Sequence, residues 1–398
     1  MEALGWAIFL FALLFSVMLH ETGHFVTAKA FGMKATRYFV GFGPTLWSTR
    51  HGETEYGVKA LPLGGFVKII GMSSLDDVAP EDEARSFRSH PAWQRIIVLS
   101  AGSFMHFLLA FLLIGGLALG IGIENANTTQ LGTITPCVAS NLTALDNGTC
   151  SAGNAESPAR LAGLRVGDKV TSFDGKPVST WTQLGNVIRA APVGSVAAIT
   201  VLRAGKTVTL HAKLAQVSGR SGAYLGVAPT IVFQVTSPVG AVTYAGSAFW
   251  QVLDGSATAV AELPGAFHDL FNKKERDKTA GGQVTSVYGA AVATGQAVAA
   301  NAGWQYKVSF VLLLIASLNI FVGVFNLFPL LPLDGGHIAI VIWERVRAWL
   351  ARLRGRPDPG LVDITKVLPI CFSIFMIVMV FGLILIAADI VNPVNVVG

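Results

Sequence analysis

Four stretches of this chain are free of charged side chains and almost continuously apolar: Ala3–Leu19, Ile96–Ile123, Val308–Leu333 and Val367–Ala388. A helix needs about 20 apolar residues to cross the roughly 30 Å hydrocarbon core of a bilayer. The last three runs reach that length. The first reaches it if the helix continues through His20–His24. The pattern therefore predicts about four transmembrane helices, at residues 1–26, 95–123, 307–336 and 366–389. Met1–Gly5 carries Glu2 and no Lys or Arg, and no small-residue cleavage site follows, so the first run is expected to remain as an anchor.

Between the spans the pattern changes. Two short apolar stretches flank Gly64-Gly65 within residues 53–72, which predicts a β-hairpin turning there. "ITVLRAGKTVTLHAKL", residues 199–214, reads as strand, tight Ala204-Gly205 turn and strand, inside a soluble domain over 130–216. Residues 221–253 carry no charge but are rich in Gly, Pro, Ser and Thr. The segment 217–306 is thus expected to hold strand and amphipathic helix lying against the outer membrane face.

Charge gives these parts sides. Residues 27–95 hold nine Lys and Arg and residues 335–366 hold six, while the terminal tails hold none. The positive-inside rule makes the segments 27–94 and 337–365 cytoplasmic. Residues 124–307 and both termini are then extracytoplasmic. Charged residues are only 13% of the chain and hydrophobic ones 52%. Mean hydropathy is +0.56, as an integral membrane protein requires. The net charge of +5 is mostly this orientation signal, and no basic stripe interleaves with aromatics, which excludes nucleic acid as a partner. Cys137 and Cys150 fall in the oxidising compartment, where a disulfide between them is expected.

The first run closes on His20-Glu21-Thr22-Gly23-His24. Two imidazoles at i and i+4 share one helix face and can reach one Zn²⁺. Glu21, beside them, can serve as general base toward water. Ionisable residues at membrane depth are costly and hence functional candidates. A catalytic zinc takes three protein ligands and keeps one position open. Glu53 and Glu55 are not excluded by spacing as the third. Asp334, in "NLFPLLPLDGGH", is the better candidate, because counting spans brings His20 and Asp334 to the same cytoplasmic-side depth. Pro329 and Pro332 break regular helix there, and broken helix at membrane depth lines protein or a wet cavity.

These paired motifs resemble the site-2 protease family of intramembrane zinc metalloproteases, in particular its actinobacterial branch of regulated intramembrane proteases. "RYFVGFGPTLWSTRHGETEYGVKALPLGGFVKIIGM", residues 37–72, is very similar to that branch. The resemblance implies His20, His24 and Asp334 as zinc ligands, Glu21 as catalytic acid/base, and Asn326 as a residue that helps hold substrate. It places a re-entrant hairpin with Gly64 and Gly65 beside the site, where an edge strand can pair with unwound substrate. "SPARLAGLRVGDKVTSFDGKPV", residues 157–178, resembles a permuted bacterial PDZ domain. Its role is a size filter against substrates with bulky ectodomains, or an activating ligand site. The implied substrates are single-span transmembrane proteins such as anti-sigma factors or remnant signal peptides, in a bacterial plasma membrane. A zinc transporter and a catalytically inactive PDZ scaffold are the competing readings.

Two positions depart from the family. His106 stands where an Asn is usual near the start of the second span, and it reads as a substrate-facing group, an auxiliary ligand or a buried hydrogen-bonded histidine. Gln283 stands where Pro is expected.

Overall fold

The computed structural model describes residues 1–72, 76–138, 150, 153–218, 221–266, 286–362 and 364–391; Gln283 lies outside them. The chain divides into two compact units, residues 1–119 with 237–397, and residues 120–236.

The first unit is helical. Helix α1 spans Glu2–Ala30 and α2 spans Ala92–Gly120. Later come α5 (Pro238–Ala266), α6 (Val287–Ala299), α7 (Trp304–Asn326), α8 (Asp334–Leu353) and α9 (Ile364–Val391). Four of these helices, α1, α2, α7 and the Cys371–Val391 part of α9, are long and apolar enough to cross a membrane. Their faces are reversed relative to a soluble helix. The buried residues of α1 include Gly5, Phe9, Ser16, His20, Gly23, His24 and Ala28, one stripe at helical spacing that is small or polar apart from Phe9. Leu4, Leu10, Phe11, Phe15 and Val26 point outward. With lipid outside, small residues at the contact let backbones approach closely. At Gly23 a Cβ would stand 2.5 Å from Ala101 O, so only glycine allows α2 this near.

Strands β1 (Ala35–His51) and β2 (Thr54–Ile69) follow α1. The chain reverses at Gly52-Glu53, between the paired His51 and Thr54, and not at Gly64-Gly65 as the sequence pattern suggested. Gly52 supplies the positive φ of +60° that this turn demands. Gly64 and Gly65 lie within β2, where it passes α1. A Cβ on Gly65 would meet Met18 Sδ at 2.5 Å, so the glycines serve close approach rather than reversal. Both strands bend. Arg37–Val40 pairs with Gly65–Lys68 in antiparallel register and also with Glu55–Val58, where both numbers rise together, while Thr45–His51 folds back on Thr54–Lys59. The result is a sheet four ribbons wide, with 61–69 and 45–51 at its edges. The Gly52-Glu53 turn is tied to the end of α1. Glu53 accepts from Lys29 Nζ and from Arg85 at 2.7 and 2.9 Å. Arg85, ahead of Lys29, holds the Glu53 carboxyl down at about 2. Glu53 is thereby committed away from any metal, and Glu55 faces Arg37 at 3.7 Å.

Two further expectations are corrected. The third apolar helix stops at Asn326 rather than 336, and Asp334 opens a new helix through residues expected to be loop. Pro329 and Pro332 cannot donate backbone hydrogen bonds, so 327–333 forms a bent connection. Helix α5 does not lie apart from the spans: Ala245 is buried with Ile114 of α2 and Ala316 and Ile320 of α7. Helix α6 packs on the first half of α1, where Gly5 would clash at 2.7 Å with Gly295 if it bore a Cβ. Ser286 caps α6 and donates from its N–H (2.7 Å) and Oγ (2.5 Å) to the buried Asp389 carboxylate of α9.

The second unit contains β3 (Ile123–Asn125), β4 (Leu131–Ile134), helix α3 (Pro158–Leu161), β5 (Lys169–Phe173), β6 (Lys176–Pro177), helix α4 (Trp181–Ala190), β7 (Val196–Arg203), β8 (Lys206–Lys213), β9 (Val227–Pro229) and β10 (Val232–Gln234). The sheet order is β6-β5-β7-β8, with β4 paired to β9 and β3 to β10. β7 and β8 meet at Ala204-Gly205, both at positive φ, as a two-residue hairpin turn requires. Leu131, Phe173, Leu184, Ile199, Val201, Leu214 and Leu225 share one core. The sulfurs of Cys137 and Cys150 are joined, with Cα atoms 5.9 Å apart.

Asp168 anchors this unit. It is 1% exposed and accepts from Arg203 Nε at 2.8 Å, Arg203 Nη2 at 2.7 Å and Arg165 N at 2.8 Å. Burial alone pushes its carboxyl up, but the Arg203 bonds outweigh that and hold it below the ordinary carboxylate range. The folded form thus binds this proton less readily than the unfolded chain. Its stabilisation is present above about pH 4 and fades as pH falls below. Asp168→Asn is expected to cost the unit about 1.5–3 kcal/mol. Amide exchange across 121–236 should accelerate while that of α1 and α2 does not; unchanged exchange would show the pair to be dispensable.

Candidate metal centre

Three side chains from distant parts of the chain converge. His20 and His24 sit on the buried stripe of α1, 8% and 6% exposed. Their Nε2 atoms are 3.0 Å apart. Asp334 Oδ2 lies 3.2 Å from His20 Nε2 and 3.3 Å from His24 Nε2. It is buried and has no hydrogen-bond partner among the described residues. Four donors at about 2.0–2.1 Å around a tetrahedral ion stand about 3.3 Å from one another. The observed triangle has that size, so His20, His24 and Asp334 fit a zinc ion with one position left open.

Two of the three candidate ligands are held from outside. His24 Nδ1 bonds the Val98 carbonyl of α2 at 2.7 Å, which leaves Nε2 unprotonated for metal. Asp334 is carried by the 327–333 connection, which folds back on the start of α8. Side chains at Gly335 and Gly336 would meet the Leu327 carbonyl at 2.2 Å and Leu330–Leu331 backbone at 2.5–2.6 Å, so this fold-back demands both glycines. Gly102 of α2 lies against both imidazoles: its Cβ would be 2.4 Å from His20 Cε1 and 2.5 Å from His24 Nε2.

Glu21 follows His20 on α1, and its Oε2 accepts from Val67 N of β2 at 3.0 Å. The sheet edge at 61–69 therefore faces the site. Thr22 reinforces this docking through Tyr38 Oη at 2.8 Å. Gly64 and Gly65 sit beside Val17 and Met18, one turn before the ligands. Asn326, the last residue of α7, is half-buried. His106 is 3% exposed; its ring lies 5.0 Å from that of His20, and its Nδ1 is 2.7 Å from Asn319 Oδ1.

The family model for peptidase family M50 matches residues 8–356. The chain belongs to peptidase family M50. Similar M50 proteins include the zinc metalloprotease Rip1 of Mycolicibacterium smegmatis, 35% identical over 418 residues that span 100% of this chain and 99% of the relative. The zinc metalloprotease Rip1 of Mycobacterium tuberculosis is 36% identical over 410 residues, 98% of each. Among solved structures, the PDZ domain of the SdrC-like protein of Listeria monocytogenes aligns with 25% of this chain and 90% of its own, at 19% identity and a TM-score of 0.17. This M50 peptidase is a zinc metalloprotease, and its resemblance to the actinobacterial regulated branch is borne out by the full-length similarity to the Rip1 proteins.

Sequence reasoning did not single out Gly102, Gly23, Ser16, Asn319, the Val98 carbonyl or the Val67 N–H. Asn319 carried a usable signal, an amide inside an apolar run. The backbone groups carried none, because any residue type supplies them.

Proposed function

We propose that this M50 peptidase cuts a peptide bond within the transmembrane segment of a single-span protein already trimmed outside the membrane. Anti-sigma factors and remnant signal peptides are the substrate classes. The observation that carries the reading is a zinc-ligand triangle assembled on the inward faces of apolar helices, with the edge of a β-sheet against its acid/base residue.

His20, His24 and Asp334 would hold a zinc ion, which would supply Lewis acidity toward the scissile carbonyl and toward water at neutral pH. Glu21 takes the proton from water and passes it to the leaving amine. The carboxylate is held for this by Val67 N–H. A helical peptide bond is hydrogen-bonded and shielded, so substrate must be extended first. The β2 edge at Gly64–Val67 accepts the unwound segment as an added strand, and Asn326 holds it near the ligands. The charge pattern supports a site toward the cytoplasmic side, with both termini and the 130–216 domain outside. We assign that domain to the PDZ class, acting as a filter that rejects untrimmed ectodomains, and regard the Cys137–Cys150 bridge as an adaptation to that compartment.

Co-expression with a tagged single-span substrate, with and without its ectodomain, tests this. Wild type should cut only the trimmed form, and a variant lacking residues 130–216 should cut both. Failure to cut either form would overturn the assignment; continued rejection of the full-length form by the deletion would overturn the filter.

A further inference from the structure

His24 has an outer partner, the Val98 carbonyl, that fixes which of its nitrogens faces the metal. Among the described residues His20 has none: its Nδ1 is buried without a hydrogen-bond partner. When His20 binds metal through Nε2, the proton sits on Nδ1 and needs an acceptor at this buried position.

The neighbouring network points to one. Asn319 Nδ2 donates to Ile315 O at 2.8 Å and to Ser16 Oγ at 3.1 Å, and Ser16 Oγ donates onward to Ala12 O at 2.8 Å. With its amide nitrogen so committed, Asn319 presents Oδ1 as an acceptor to His106 Nδ1 at 2.7 Å. His106 therefore carries its proton on Nδ1 and keeps a free lone pair on Nε2. This tautomer is inferred from the hydrogen-bond network. The His106 ring stands 5.0 Å from the His20 ring, centroid to centroid, tilted by 42°. His106 is one turn after Gly102 on α2, and long side chains on a helix lean toward its N-terminus. It thus reaches over the glycine whose missing Cβ leaves space 2.6 Å from His20 Nδ1.

We propose that His106 is the outer partner of the zinc ligand His20, its Nε2 accepting the His20 Nδ1 proton when metal is bound, with Asn319 and Ser16 setting the His106 tautomer. His106 is a positioning residue and not a fourth ligand, since among the described residues His20, His24 and Asp334 alone bring their donor atoms within 4.8 Å of one another. The proposal rests on the zinc site described above.

The test uses the purified full-length protein and measures zinc affinity by chelator competition and the visible spectrum of the cobalt-substituted form. His106→Ala should weaken zinc binding about 10–100-fold, the usual loss on removing such an outer partner. His106→Gln, whose amide oxygen can accept the same proton, should restore binding to within a few-fold. Asn319→Leu should weaken binding in the wild-type background and have no further effect in His106→Ala, because it acts through His106. The cobalt spectrum of His106→Ala should keep the intensity of a site with unchanged ligands. Zinc binding by His106→Ala as tight as wild type would overturn the proposal, as would a cobalt spectrum showing a lost nitrogen ligand. Ser103 Oγ is also buried without a partner among the described residues; a loss seen in Ser103→Ala and not in His106→Ala would overturn it too. His24→Ala, which should abolish binding, separates failure of this proposal from failure of the zinc site.

Discussion

Glu21→Gln is expected to keep about one zinc per chain and to lower hydrolysis of a trimmed single-span substrate by about 10²–10⁴-fold. The glutamine is isosteric and its amide oxygen can still accept from Val67 N–H, at 3.0 Å in the native protein. Docking of β2 on α1 is therefore preserved. What is lost is the ability to take a proton from water and return it to the amine. Zinc is retained because the three donors, His20, His24 and Asp334, are untouched. Zinc content by elemental analysis, alongside cleavage of the tagged substrate, checks both halves. Cleavage by the variant at the wild-type rate would remove Glu21 from the acid/base role, and loss of zinc would mean that it helps hold the metal.

Gly102→Ala is the second large effect. The added methyl would lie 2.4–2.6 Å from His20 Cε1, His24 Nε2 and His20 Nδ1. Those contacts are ring atoms of the two ligands, so the clash can be relieved only by moving the imidazoles or by pushing α2 away from α1. Gly23, whose Cβ would be 2.5 Å from Ala101 O, shows that the helices already touch there. A displacement on the order of 1 Å at a catalytic centre costs about 10²-fold in rate. Cleavage should fall by at least about that factor, with zinc affinity falling in parallel. Gly116→Ala is the control: on the same helix, nothing lies within 4 Å of its added Cβ. Equal activity of the two alanine variants would show that α2 is not the wall of the site.

Much of this was legible in the chain. The four apolar runs appear as four candidate spans because membrane crossing is a local demand on length and composition. The zinc motif is legible for a similar reason, since i and i+4 on one helix are neighbours whatever the rest of the fold does. Asp334 was reached from its Pro- and Gly-flanked motif, with span counting and the family resemblance in support, and it does meet His20 and His24. The hairpin turn was misplaced because two glycines in a strand look alike whether they reverse the chain or permit close packing. Gly65 against Met18 is the second case. The end of the third span was overrun because apolar residues continue through 327–333, past the point where two prolines had ended the helix.

Local chemistry in the sequence thus pointed to a membrane protein with two histidines on one helix and a distant carboxylate, His20, His24 and Asp334, that could together hold a metal ion. Everything that surrounds those side chains waited for the fold: the Val98 carbonyl behind His24, the Val67 N–H on Glu21, the glycine wall of α2, and the Ser16–Asn319–His106 chain beside His20. The reason is physical. Ligand identity is written in side chains, whereas ligand orientation is enforced by backbone groups and by missing atoms, and neither leaves a mark until packing brings them to within about 3 Å.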